Sequence, residues 1–174
     1  GEWGDAIGDK NTTQFSNIAG MVFDSSGNLF VSDKDNNKVK RITFDPSSGV
    51  ATSEDWVGSG SRDHANGNGT DASFRQPWGI AIDSSNNIYV SDYAGGNWGQ
   101  KDGSLATARF RHPGPLTFDS NGDLWVADQG SNTIIKIDVS EGYVSRFAGK
   151  VIDNNSHSDG TLDEAKFSRP SSIS

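Results

Sequence analysis

The chain writes one phrase three times. GMVFDSSGNLFVSD at 20–33 returns within RQPWGIAIDSSNNIYVSD at 75–92 and again within RHPGPLTFDSNGDLWVAD at 111–128. Aligned on the aspartate that closes the first apolar run, Asp24, Asp83 and Asp119, the copies lie 59 and 36 residues apart. Aligned instead on the phenylalanine before each copy, Phe15, Phe74, Phe110 and Phe167, the spacings are 59, 36 and 57. Two independent anchors agree, so the chain must fold as a succession of equivalent supersecondary units.

Each copy reads as strands. In Gly79, Ile80, Ala81, Ile82 large and small residues alternate, as in a strand whose two faces each pack on a neighbour, one of them closely. Ser26-Gly27-Asn28, Ser85-Asn86-Asn87 and Asn121-Gly122-Asp123 then supply residues that tolerate positive φ, the requirement of a tight hairpin. Second strands run over 29–33, 88–92 and 124–128, each ending in an aspartate whose carboxylate is expected to accept N–H bonds from the loop after it. Third strands are legible at 38–43 and 133–138, and fourth strands at 49–58 and 142–149. Four antiparallel strands per unit, repeated, make a β-propeller blade.

Composition narrows the alternatives. With 21 glycines and 32% apolar residues in 174, and no apolar period near 3.6 sustained over several turns, the sequence argues against a helical bundle. A net charge of −8 argues against a nucleic-acid partner, whose phosphates demand a dense basic surface. The absence of cysteine removes disulfides, thiolate zinc sites and cysteine nucleophiles. No apolar run approaches the roughly 20 residues that span a bilayer.

The pattern Pro-x-Gly-Ile-Ala-x-Asp, polar turn, Ile-Tyr-Val-x-Asp, followed by an Asn-rich loop and a basic, aliphatic strand resembles the NHL repeat, which forms propellers, usually of six blades. The segment 102–110, echoed at 159–167 and 69–74, is similar to the long inter-blade loop of one subset of these proteins. At the namesake position this chain has Asn36-Asn37-Lys38-Val39 and Ser131-Asn132-Thr133-Ile134, without histidine. The resemblance implies an all-β propeller of four-stranded antiparallel blades, about three of them here, half of a six-bladed ring. The expected organisation is a linker at 1–19, blade 1 with its linker at 20–77, a short blade 2 at 78–113, blade 3 at 114–170 and the start of a further blade at 171–174. Blade 2 lacks sequence for its two outer strands, through either truncation or omission of a segment. Three blades do not close a ring, so a homodimer or the remainder of a longer propeller chain is expected to complete it.

In NHL-like propellers, the resemblance implies, ligands meet the face built by the linkers and the loops after the second strands. Here that face is expected to carry Arg75, Gln76, Trp78, Arg111, His112 and Arg169 from the linkers. Lys34, Asp35, Asn36, Asn37, Tyr93, Gln129 and Ser131 come from the other loops. The arginines suit bidentate binding of carboxylate or phosphate, or else pairing with linker aspartates Asp71, Asp102 and Asp163. Trp78 and Trp98 lie in glycine-rich loops and suit stacking on a sugar or peptide, whereas Trp125 sits at a core position of a strand. His112 lacks the neighbouring ligand spacing of a metal or general-base site, and 119–123 reads as a hairpin turn, not a calcium loop. No cofactor or metal is called for. The reading is a binding scaffold for protein, peptide or glycan using Arg75, Trp78, Tyr93, Trp98, Arg111, His112 and Arg169. The alternatives are a lyase- or lactonase-like propeller enzyme with a channel metal and, against the net charge, an RNA binder.

Overall fold

The computed structural model describes residues 3–92, 99–151 and 157–173. It is all-β and antiparallel; the one helical piece among the described residues is a three-residue 3-10 turn, Gly69–Asp71. No helix among them is long and apolar enough to cross a membrane. The chain divides into two compact units, Gly1–Ala94 and Gly95–Ser174.

In the first unit, β1 (Gly8–Asp9), β2 (Ile18–Phe23), β3 (Leu29–Asp33), β4 (Lys38–Asp45) and β5 (Val50–Val57) form a sheet in the order β1-β5-β4-β3-β2. A second, two-stranded sheet joins β6 (Pro77–Ile82) to β7 (Ile88–Asp92). In the second unit, β8 (Gly103–Ser104), β9 (Pro113–Phe118), β10 (Leu124–Asp128), β11 (Thr133–Asp138) and β12 (Tyr143–Ala148) repeat the first arrangement, in the order β8-β12-β11-β10-β9. These are propeller blades: a meander of four strands stepping outward from β2 or β9.

The sheets carry five strands where the sequence predicts four. The fifth is a two-residue strand from the preceding linker, Gly8–Asp9 against Thr52 and Ser53, or Gly103–Ser104 against Tyr143 and Val144. Two residues hold too little pattern to be read as a strand. They shield part of an outer edge that would otherwise offer unpaired backbone groups.

Each first hairpin is closed by its aspartate. Asp24 Oδ1 accepts from the N–H groups of Ser26 and Asn28, Asp83 Oδ1 from Ser85 and Asn87, and Asp119 Oδ1 from Asn121 and Asp123, all at 2.8–3.0 Å. The second carboxylate oxygen takes a side chain: the Asn28 amide, the Asn87 amide or the Trp125 indole N–H. Segment 119–123 is therefore a hairpin turn whose aspartate is occupied by its own backbone.

The core of the first unit lies between its two sheets. Phe30 and Val39 from one and Ile80 from the other are buried, with Val22, Val57, Phe74, Ile88 and Val90 packed around them. Gly20 permits this approach, since a Cβ there would stand 2.9 Å from the Trp78 carbonyl oxygen and 3.1 Å from Ile80 Cγ2. In the second unit Leu124, Val126, Ile135, Ile137, Val144 and Ala148 are buried. Trp125, expected in the core, is only half-buried; its ring meets Phe147 edge-on at 4.7 Å.

Candidate functional site

The loop face is organised by the aspartates that end the second strands. Their main partners are in the linker before the blade, a correction to the expectation that they serve the loop after it. Asp33 Oδ1 accepts from Ser16 N–H at 2.7 Å, and both oxygens of Asp92 accept from Arg75 N–H at 2.8 and 3.0 Å. Asp128 takes Arg111 N–H on one oxygen and His112 N–H on the other, each at 2.8 Å; of the following loop it takes Gly130 N–H, at 3.2 Å. Asp33 and Asp128 are wholly buried; Asp128 accepts from backbone donors, whereas Asp33 adds the Asn36 side-chain amide at 2.8 Å and the Lys40 ammonium at 3.3 Å to its one backbone bond.

A second clasp works forward along the chain. Asn37 Oδ1 accepts from Gln76 N–H at 3.1 Å, and Asn132 Oδ1 from Arg169 N–H at 2.8 Å. All four residues have left-handed backbones, with φ of 54°, 64°, 58° and 48°. That conformation accounts for asparagine at the namesake position, because it tolerates positive φ and carries an amide oxygen to fix the next linker.

In the second unit these clasps gather three of the predicted residues. Asp128 and Asn132 belong to one buried loop and hold the backbones of Arg111, His112 and Arg169. Gly130 lies beneath Arg111: a Cβ there would come within 2.7 Å of Arg111 Cγ and 2.9 Å of His112 N. Burial pulls the His112 imidazole below its ordinary 6.5; the Asp128 charge opposes this, and the Arg111 and Arg169 charges reinforce it. The imidazole is thus neutral at pH 7, within the field of two guanidinium groups. Arg169 is exposed and Arg111 half-buried.

The first unit places Arg75 in solvent and Trp78 beneath a cation, with Lys34 Nζ 4.3 Å from the ring centroid. One face of Trp78 is therefore occupied by the chain itself. The Gln76 amide reaches Asp35 Oδ1 at 3.5 Å, and His64 Nδ1 lies 3.6 Å from Asp92 Oδ2. Tyr93 and Trp98 lie outside the described residues. Two of the linker aspartates offered as arginine partners serve Arg146 instead: Asp163 pairs with its guanidinium at 3.0 Å and Asp102 accepts its backbone N–H at 2.9 Å. Among the described residues no group of three His, Asp or Glu is placed to hold a metal ion.

One buried feature escaped the sequence reading. Lys40 has no exposed surface; its ammonium donates to the Gln14 carbonyl at 2.8 Å and pairs with Asp5 at 3.0 Å and Asp33 at 3.3 Å. The signal was present, since Lys40 faces Val31 at the register where Ile135 faces Val126 in the other five-stranded sheet.

Comparison with known proteins agrees with this architecture. Residues 74–97 match the family model of the NHL repeat. No curated protein matches the sequence. An auxiliary nutrient binding protein from Bacteroides thetaiotaomicron is similar in structure, with a TM-score of 0.61 and 20% identity, over 91% of this chain and 42% of that one. A second protein so described, from Bacteroides ovatus, gives 0.61 and 17% identity over 93% of this chain and 44% of its own. Virginiamycin B lyase from Staphylococcus aureus gives 0.47 and 18% identity over 78% of this chain and 43% of that one. The chain thus spans less than half the length of each of these structures.

Proposed function

We propose that this chain, built of propeller blades and carrying an NHL repeat at residues 74–97, is a non-enzymatic binding scaffold whose loop face recognises a protein, peptide or glycan. The observation that carries the reading is the hanging of Arg111, His112 and Arg169 from Asp128 and Asn132 of one buried loop. The clasping groups are spent on backbone positioning, which sets where the Arg111 and Arg169 side chains leave the main chain. Guanidinium groups carried on these anchored backbones suit a carboxylate or another oxyanion on the ligand, because two N–H donors of arginine match two oxygens. Two proteins of the same fold described as nutrient binding are in keeping with such a use, on the strength of fold alone.

The test is an array of peptides and glycans with and without carboxylate groups, probed with the chain and with an Arg111→Ala/Arg169→Ala variant. Selective retention of carboxylated ligands by the parent chain, lost in the variant, is the expected result. Retention that is indifferent to the two substitutions, or recovery of the ligand with a bond broken, overturns the reading.

A further inference from the structure

The dipeptide Asn-Gly occurs at 66–67, 68–69 and 121–122. It is the asparagine context most prone to losing its amide, because glycine puts no side chain in the way as its own nitrogen meets the asparagine Cγ. All three asparagines are exposed. What differs is the peptide group that must turn and react. Gly122 N–H donates to the Asp119 carbonyl at 3.2 Å inside its hairpin turn, and the Asn68 carbonyl accepts from Asp71 N–H at 3.0 Å at the start of the 3-10 turn. Neither the Asn66 carbonyl nor the Gly67 N–H has a hydrogen-bond partner among the described residues.

The fold requires the glycine after Asn66. A Cβ at Gly67 would stand 2.7 Å from Asp71 C and from Ala72 N, so the loop closes only with glycine there. The loop itself recurs. Ala65 bridges Ser73, Lys101 bridges Arg109 and Ser158 bridges Lys166, each pair ending one residue before Phe74, Phe110 or Phe167. Directly after the first bridge residue the other two loops carry Asp102-Gly103 and Asp159-Gly160, where this one carries Asn66-Gly67.

We propose that Asn66 is a site of spontaneous deamidation, singled out from the other two Asn-Gly pairs by its unbonded peptide group. Gly67 N, on losing its proton, attacks Asn66 Cγ. The new N–Cγ bond closes a succinimide, and the Cγ–Nδ2 bond breaks to release ammonia, which takes up the proton. Water then opens the ring. Breaking the N–Cγ bond leaves aspartate at 66, the residue that the two counterpart loops hold from the start. Breaking the bond from Gly67 N to the main-chain carbonyl carbon leaves isoaspartate instead. Its main chain is one carbon longer, between the Ala65 bridge and the Asp71–Ala72 backbone that abuts Gly67.

The test holds the whole chain, folded, in warm and mildly alkaline buffer. Peptide mapping by mass spectrometry follows amide-to-acid exchange at Asn66, Asn68 and Asn121, and enzymatic methylation of isoaspartate reads the second product. Asn66 should convert several-fold faster than the other two, and faster still as pH rises. In urea the three should converge, since the dipeptide is the same. A folded chain in which Asn68 or Asn121 keeps pace with Asn66 overturns the proposal, as does an Asn66 that folding slows as much as it slows them. Asn66→Asp should melt with the parent chain; a marked loss of melting temperature overturns the fit of the product to the loop.

Discussion

The side-chain oxygen of Asn37 holds the backbone N–H of Gln76, 39 residues further on, at 3.1 Å. The contact ties the loop between the second and third strands of one blade to the entry of the next, and Asn132 makes the same bond to Arg169. Because the donor is partly buried, losing its acceptor leaves an N–H without a partner, at a cost of about 1–3 kcal/mol.

Asn37→Gly should therefore destabilise the chain by about 1–2 kcal/mol in urea unfolding. Glycine accepts the φ of 54° without strain, so the loss reports the two side-chain bonds of Asn37, from Gln76 N–H and to the Gly60 carbonyl at 3.2 Å.

Lys40 is buried with Asp33, and the two charges lie 3.3 Å apart. Lys40→Met removes one partner and strands a buried carboxylate, with an expected loss of about 3–5 kcal/mol. Adding Asp33→Asn to Lys40→Met should cost much less than Asp33→Asn does in the parent chain, a coupling that a double-mutant cycle in urea measures.

Gly20 lies against the neighbouring sheet, and a methyl group there would press on Trp78 and Ile80. Gly20→Ala should cost about 1–3 kcal/mol as overpacking. The exposed turn glycine Gly27, with no atom within 4 Å of its would-be Cβ, is the control: Gly27→Ala meets only the strain of φ 82°. Thermal melts of the two variants, with Gly20→Ala the lower, check the assignment.

Stability should fall in acid. Asp24, Asp83 and Asp119 are held below their ordinary 3.8, chiefly by the Asn28, Asn87 and Trp125 side-chain donors, respectively. Folded, they bind protons less readily than unfolded, so their contribution is complete above 3.8 and is lost as pH falls through the lowered values. Asp33 works with the opposite sign: burial raises its carboxyl, so its contribution is full below 3.8 and is lost as pH rises through the raised value. Melting temperatures recorded from pH 6 to 2 should decline on the acid side. Asp83→Asn and Asp119→Asn, which keep the turn acceptor, should flatten that decline, and Asp33→Asn should steepen it.

The linear order of residues determined the unit and its repetition. Phe15, Phe74, Phe110 and Phe167 mark the period, the alternation in 79–82 marks a strand, and Asp24, Asp83 and Asp119 with the small polar residues after them mark the turns. All of this is local: backbone preferences and side-chain alternation act over a few residues, so they can be read along the chain. That Arg111, His112 and Arg169 stand one or two residues after a repeat phenylalanine was legible for the same reason. Only the folded chain decided the contacts between segments. That Asp128 serves the linker before it, that a two-residue strand such as Gly8–Asp9 completes a sheet, and that Lys40 is buried where Ile135 stands in the other five-stranded sheet all depend on partners distant in sequence. Asp33, for instance, is aimed at Ser16 by the register of β2 on β3 and the path of the linker, and no local preference encodes either. A repeat specifies its own shape through near neighbours, whereas which desolvated group meets which donor is settled only when distant backbones are brought within hydrogen-bonding reach.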